Sequence, residues 1–263
     1  MFSVGKIIAV ANQKGGVGKT TTCVNLAASL SATKRNILLV DLDPQGNATM
    51  GSGIDKHEAI KTSNEMLLGE ANIPEVIQKT EAGFDLVPAN SDLSIAEMKL
   101  MQMLNRERRL KKALDEVRDQ YDYIFIDCPP SLNMLTINAL VAADSVMITV
   151  QCEYYALEGL SGLLSTIEEV RQSVNERLEV EGVLRTMYDP RNRLTQDVSE
   201  QLSDHFGDKL YRTVIPRNVR LAEAPSHGLA AYQYDKRSQG ATAYLALAGE
   251  MIRRAEAQEA VGA

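Results

Sequence analysis

At 263 residues, with 44% hydrophobic and 24% charged side chains, the chain has the balance of a globular protein with a substantial core. Its net charge of −7, four Phe and no Trp argue against a basic coat for DNA and against a stacking platform for single strands, so any DNA contact must come from a local patch. Three cysteines without metal-ligand spacing, no leader peptide and no run approaching ~18 apolar residues point to buried, reduced thiols in a cytosolic chain that does not span a membrane.

In chain order, strand-like and helix-like segments alternate. Ile7–Ala11 reads as a strand and Thr20–Ser31 as a helix. NILLVDLD (36–43) is an apolar run without alternation, the pattern of a strand covered on both faces. FDLVPA (84–89) is expected to be a strand, Leu93–Gln120 a long helical segment, and YDYIFIDCPP (121–130) a strand closed by two prolines. Ser131–Ala143 reads as a helix, SVMITVQC (145–152) as a strand and Tyr154–Leu178 as a long helix. VEGVLRTMY (180–188) reads as a strand, Leu194–Phe206 as a helix and KLYRTVIP (209–216) as the last strand.

This rhythm predicts an α/β fold: a mostly parallel sheet with helices on both faces, in a single domain over 1–263. In such sheets ligands bind beyond the carboxyl ends of the strands, where the first loop and the DLDP and DCPP turns converge.

The first loop, NQKGGVGKTTT (12–22), resembles G-x-x-x-x-G-K-[ST], yet Gln13 stands where the first glycine belongs and Lys14 adds a second cation. Gly15, Gly16, Val17 and Gly18 form a turn whose N–H groups point at one spot, at the start of a helix whose dipole favours an anion. Lys19 is expected to reach the outer phosphates, Thr20 to coordinate Mg²⁺ and Thr21 to lie near the α-phosphate. Asp127, ending an apolar strand, is the expected metal-organising carboxylate. Asp41 and Asp43, two residues apart, share a face if the strand persists to them, and suit metal organisation and water positioning, or a turn.

KGGVGKTT (14–21), DLDPQGN (41–47), IDCPPS (126–131), QCEYYALEG (151–159) and IPRNVRLAEAPSHG (215–228) resemble the ParA/Soj-type chromosome-partitioning ATPases. These form part of the deviant Walker A group of P-loop NTPases, which also holds MinD and the nitrogenase iron protein. The resemblance implies an ATP- and Mg²⁺-dependent ATPase with slow intrinsic turnover. It implies that Lys14 crosses a homodimer interface to the partner's nucleotide, and a surface lysine is the plainer alternative. It further implies that Asp43 orients the attacking water, that Asp41 and Asp127 organise Mg²⁺, and that Pro216 and Asn218 flank the adenine.

Relatives of this type bind double-stranded DNA non-specifically and answer to a ParB-like centromere-binding partner, which implies a cytoplasmic, nucleoid-associated protein. Residues 185–237 hold nine Lys/Arg and seven Asp/Glu, an excess of two positive charges. Arg191 and Arg220 are the DNA candidates by resemblance, with solvated surface arginines as the alternative. RERRLKKALDEVR (106–118) reads as a solvated helix face. The competing reading is a MinD-like, membrane-associated positioning ATPase. It would need the apolar stripe Tyr244, Leu247, Ala248, Met251, Ile252 and Ala255 to face lipid, and a helix packed on the body is expected instead. The chain opens directly on its first strand, so no helix-turn-helix is expected ahead of it.

Overall fold

The computed structural model describes residues 5–262, so the first four residues and the last of the expected 1–263 unit lie outside the description. The strands are β1 (Lys6–Ala11), β2 (Ile37–Asp41), β3 (Gln78–Lys79), β4 (Asp85–Val87), β5 (Tyr123–Asp127), β6 (Ser145–Gln151) and β7 (Glu179–Thr186). They form one sheet in the order β3-β4-β2-β5-β1-β6-β7. Every pairing is parallel except β3 with β4. The central strands are short and apolar because both faces are covered. Ile7, Ala9 and Ala11 of β1 enter one core cluster and Ile8 and Val10 the other, as a period of two requires.

The helices are α1 (Lys19–Ser31), α2 (Asn47–Gly51), α3 (Ser63–Leu68), α4 (Ile73–Val76), α5 (Leu93–Leu100) and α6 (Arg109–Asp115), then α7 (Met134–Ala142), α8 (Ala156–Ser173), α9 (Arg193–Phe206), α10 (Val219–Glu223), α11 (Ala231–Tyr234) and α12 (Gln239–Gly262). One face of the sheet carries α3 to α9, packed through residues such as Leu110, Leu140, Leu163 and Leu202. The other carries α1 and α10 to α12, through Leu26, Leu30, Tyr244 and Leu247. Each buried side chain of this size contributes about 1.5–3 kcal/mol.

Three expectations are corrected here. The helix expected over 93–120 breaks after Leu100, because Asn105 adopts φ 52° and the chain turns before Arg106. Its basic residues are also less solvated than expected: Arg109 donates to the Leu67 carbonyl at 2.9 Å, and Arg118 to Gly5 O at 2.7 Å and Asp144 at 2.6 Å. Lys111–Asp115 is the i,i+4 pair that remains, at 3.4 Å.

KLYRTVIP is not a strand. It meets β7 and its extension in isolated bridges at Leu210 and Pro216, with Tyr211 N donating to Val183 O at 3.0 Å and Ile215 N to Arg185 O at 2.9 Å. Between them Glu250 of α12 accepts the Arg212 and Thr213 N–H groups, each at 2.9 Å, which interrupts the ladder. The stretch 47–79, left without elements in the sequence reading, contains α2, α3, α4 and the antiparallel strand β3. A capping box on Thr62 and Glu65 starts α3, a signal present in the sequence.

Candidate functional site

A cavity of about 520 Å³ opens at the carboxyl edge of the sheet. It falls within the size range of small-molecule pockets. One end is lined by Gly15, Gly16, Gly18, Lys19, Thr20, Thr21 and Asp43, with Thr186 against Gly18; the remaining wall is formed by Met187, Ile215, Pro216, Asn218, Leu221 and Tyr244.

The first end follows from local backbone chemistry. Asn12 leaves β1, donates to Thr149 O at 2.7 Å and accepts the Lys14 N–H at 2.9 Å, which turns the chain back over the strand. Gly16 and Gly18 have φ of 73° and 83°, and Gly18 is the N-cap of α1. A side chain at Gly16 would be strained, and the missing Cβ leaves the loop's N–H groups open to an anion. Val17 points into the protein, 1% exposed, and its carbonyl accepts the Thr186 hydroxyl at 2.8 Å. Val17 therefore supports the loop from behind and does not line the cavity.

Lys19 is 7% exposed, and its ammonium donates to Lys14 O at 3.2 Å. Burial lowers its pKa, and the Asp127 carboxylate opposes that. Asp127 is fully buried, and the nearby Thr20 side chain favours its charged form. Its Oδ1 accepts from Cys23 Sγ at 3.6 Å, and its Oδ2 has no partner. Burial, with Asp41 beside it in register on β2, pushes the Asp127 carboxyl well above the usual range. An orphaned carboxylate oxygen next to a threonine hydroxyl and a lysine, at the phosphate end of a cavity, is an arrangement completed by a hard cation.

Asp41 is placed differently from Asp127. Its Oδ1 accepts Asp43 N at 3.0 Å, and its Oδ2 accepts Thr49 N at 2.9 Å and the Thr49 hydroxyl at 2.7 Å. Burial raises its pKa against those hydrogen bonds. Both oxygens are engaged, so Asp41 holds the turn that carries Asp43 to the cavity wall.

At the second end, Asn218 caps α10 by accepting Arg220 N at 3.2 Å, and Pro216 bridges to Tyr188. Tyr244 shares a 3.0 Å hydrogen bond with Thr22 of α1, which ties the C-terminal helix to the phosphate loop's helix. Thr186 and Met187 carry no motif signal in the sequence, and Tyr244 is marked there only as part of the apolar stripe. TMY at the end of an apolar strand and an aromatic in an apolar helical stripe look like ordinary core.

Lys14 does not line the cavity. It stands at the rim, half-exposed, with Nζ 2.5 Å from Glu153 Oε2. Arg191 and Arg220 also lie outside. Arg191 makes a two-point pair with Asp189 at 2.9 Å for each bond, and Arg220 reaches Glu223 at 2.7 Å and Asp235 at 3.5 Å. The stripe of α12 is used internally: Tyr244, Leu247, Ala248 and Met251 are buried against the body, as expected. All three cysteines are buried and free. Among the described residues, no helix is long and apolar enough to cross a membrane.

Comparison with known proteins agrees with this geometry. A family model described as "AAA domain" matches residues 5–180. The chain is 55% identical over 249 residues to the sporulation initiation inhibitor protein Soj of Bacillus subtilis, covering 94% of this chain and 98% of that one. It is 50% identical over 261 residues to the chromosome partitioning protein ParA of Caulobacter vibrioides, covering 98% of each. A solved structure described as cobyrinic acid a,c-diamide synthase from Mycobacterium smegmatis, with bound ATP analog and magnesium, superposes with a TM-score of 0.85 at 38% identity over 96% of each chain. With an alternating α/β sheet, a two-lysine phosphate loop and relatives of this identity over nearly its whole length, the chain belongs to the ParA/Soj family of P-loop ATPases.

Proposed function

We propose that the chain is an ATP-driven dimerising switch that binds double-stranded DNA without sequence preference and serves chromosome or plasmid partitioning. The observation that carries this reading is the separation of the two loop lysines. Lys19 is buried in the phosphate end of its own cavity, whereas Lys14 is at the rim, where a second subunit could present a nucleotide to it. A triphosphate gathered between two copies would meet one lysine from each, and the nucleotide would bind the dimer more tightly than the monomer.

The residues at the phosphate end fit Mg²⁺, with Thr20 and Asp127 as its holders. When bound, the ion would offset charge on the transferred phosphoryl group. Lys19 would neutralise the phosphates, and the α1 N-terminus would supply N–H donors. Asp43, held in place through Asp41, would orient the attacking water. Pro216 and Asn218 would bound the adenine. Slow intrinsic hydrolysis, accelerated by a ParB-like partner, would set the lifetime of the DNA-bound dimer. DNA contact would come from Arg191 and Arg220, which lie outside the cavity on loop and short-helix positions.

The test is oligomeric state without nucleotide, with ADP and with ATP, using Asp43→Ala to block turnover. Sedimentation against random duplex DNA and against anionic liposomes follows. The expected result is an ATP-specific dimer that pellets with DNA only, and that is lost in Lys14→Ala and Lys19→Ala. A monomer under every condition would overturn the switch, and pelleting with liposomes alone would favour the membrane-positioning reading.

A further inference from the structure

We propose that Cys23 is a positioning residue for the metal-organising carboxylate: its thiol holds Asp127 Oδ1 and so leaves Oδ2 to the cation. This role rests on the nucleotide and Mg²⁺ reading above and extends it to a side chain which the loop motif does not mark.

Helix geometry puts the thiol there. Lys19, Thr20 and Cys23 lie in the first turns of α1, with Cys23 four residues after Lys19 and three after Thr20. Residues at those spacings share one helix face, so an ammonium, a hydroxyl and a thiol are presented together. Asp127, at the carboxyl end of β5, feels the charge of Lys19 and lies beside Thr20. Cys23 is fully buried, in the core cluster that also holds Ile8, Val10 and Phe125. A buried free cysteine ordinarily serves as a small hydrophobe, a role alanine or valine would fill as well.

The polar contact of Cys23 goes beyond packing. Its Sγ donates to Asp127 Oδ1 at 3.6 Å, while Oδ2 of the same carboxylate is buried without a hydrogen-bond partner. The adjacent thiol has a different use: Cys128 Sγ donates to the Ile126 carbonyl at 3.8 Å. The last torsion of an aspartate is soft and roughly two-fold, so a carboxylate held at neither oxygen has no fixed orientation. A thiol is a weak donor, but in a site closed to water it biases the carboxylate toward one orientation. With Oδ1 engaged, Oδ2 is the oxygen left for a hard cation or its water. Partners that orient a metal-binding side chain in this way commonly control how tightly the metal is held.

The experiment measures ADP affinity with Mg²⁺ and with chelator for wild type, Cys23→Ala, Cys23→Val and Cys23→Ser, each alone and combined with Asp127→Asn. The ratio of the two affinities is the gain due to Mg²⁺. Ala and Val delete the donor at smaller and larger volume, whereas Ser keeps a donor in place. The gain should fall about threefold to tenfold in the Ala and Val variants, the modest end for an orienting partner because a thiol donates weakly. In the Ser variant it should stay within about twofold, and the affinity in chelator should stay within about twofold throughout. Beside Asp127→Asn, the same substitutions should have no further effect on the gain, since they act through that carboxylate. A full gain in both the Ala and Val variants overturns the proposal. So does an equal loss with and without Mg²⁺, which would mark Cys23 as packing for α1, or a loss that persists beside Asp127→Asn. Wild type that binds ADP with no gain from Mg²⁺ overturns the cation reading and this role with it, and wild type that binds no ADP overturns the nucleotide reading itself.

Discussion

The Thr186 hydroxyl donates to the Val17 carbonyl at 2.8 Å across 169 residues of sequence, and this bond joins the end of β7 to the back of the phosphate loop. Thr186 is 2% exposed, so the carbonyl has little access to water if the donor is removed. Thr186→Val keeps the shape and deletes the donor, leaving Val17 O unsatisfied. The expected loss is about 2 kcal/mol, or roughly 4–8 °C in Tm, together with weaker nucleotide binding. Thr186→Ser should restore most of both. Thermal melts with and without ADP check this, and a valine variant that matches wild type in both would remove the link.

Asp127 carries an unpartnered, buried carboxylate oxygen. Asp127→Asn removes the charge at constant shape, so the metal-free protein should be no less stable than wild type. The gain in nucleotide affinity on adding Mg²⁺ should shrink by about tenfold to a hundredfold. Paired ADP titrations with Mg²⁺ and with chelator measure that gain. If the variant keeps it in full, the cation is not organised by this carboxylate.

Glu250 anchors α12 by accepting the N–H groups of Arg212 and Thr213 and pairing with Arg254 at 2.8 Å. Burial alone would raise its pKa, but the Thr213 and Arg212 N–H groups and Arg254 hold it below its ordinary value of 4.5. A depressed carboxyl stabilises the fold fully above the unfolded pKa, and that stability is lost as pH falls through the folded one. Glu250→Gln should cost about 1–2 kcal/mol at neutral pH. It should also lose less stability than wild type between pH 7 and about 3.5. Denaturant midpoints across that range give the answer, and parallel curves for the two proteins would contradict the assignment.

Arg220 is ion-paired with Glu223 and Asp235, so its use on a phosphate requires exchange of those partners. Exposed pairs of this kind contribute little, and Arg220→Ala should change stability by less than about 0.5 kcal/mol. In the ATP-loaded protein, removal of Arg220 or Arg191 should weaken duplex binding uniformly across sequences. Each should reduce the slope of affinity against salt by roughly one per subunit. Fluorescence anisotropy on random duplex over a salt series tests both. An Arg220→Glu variant that binds like wild type shows that DNA does not meet that face.

The sequence by itself determined the strands at the centre of the sheet and the phosphate end of the site, because both are written locally. Short apolar runs rich in β-branched and aromatic residues, such as IIAVA and YIFID, read as buried strands, and GGVGKTT carries the positive φ angles, the helix start and the lysine within a few residues. Tertiary structure decided what depends on partners distant in the chain. KLYRTVIP left the ladder because Glu250 captured the N–H groups of Arg212 and Thr213, and Asp41 became a turn anchor because Thr49 occupied one of its oxygens and the Asp43 N–H the other. Met187 and Tyr244 entered the cavity wall because β7 and α12 converge on the phosphate loop, which no local pattern records. Hydrogen bonds between residues up to 222 positions apart select among locally acceptable conformations, and only the folded chain brings those donors and acceptors together.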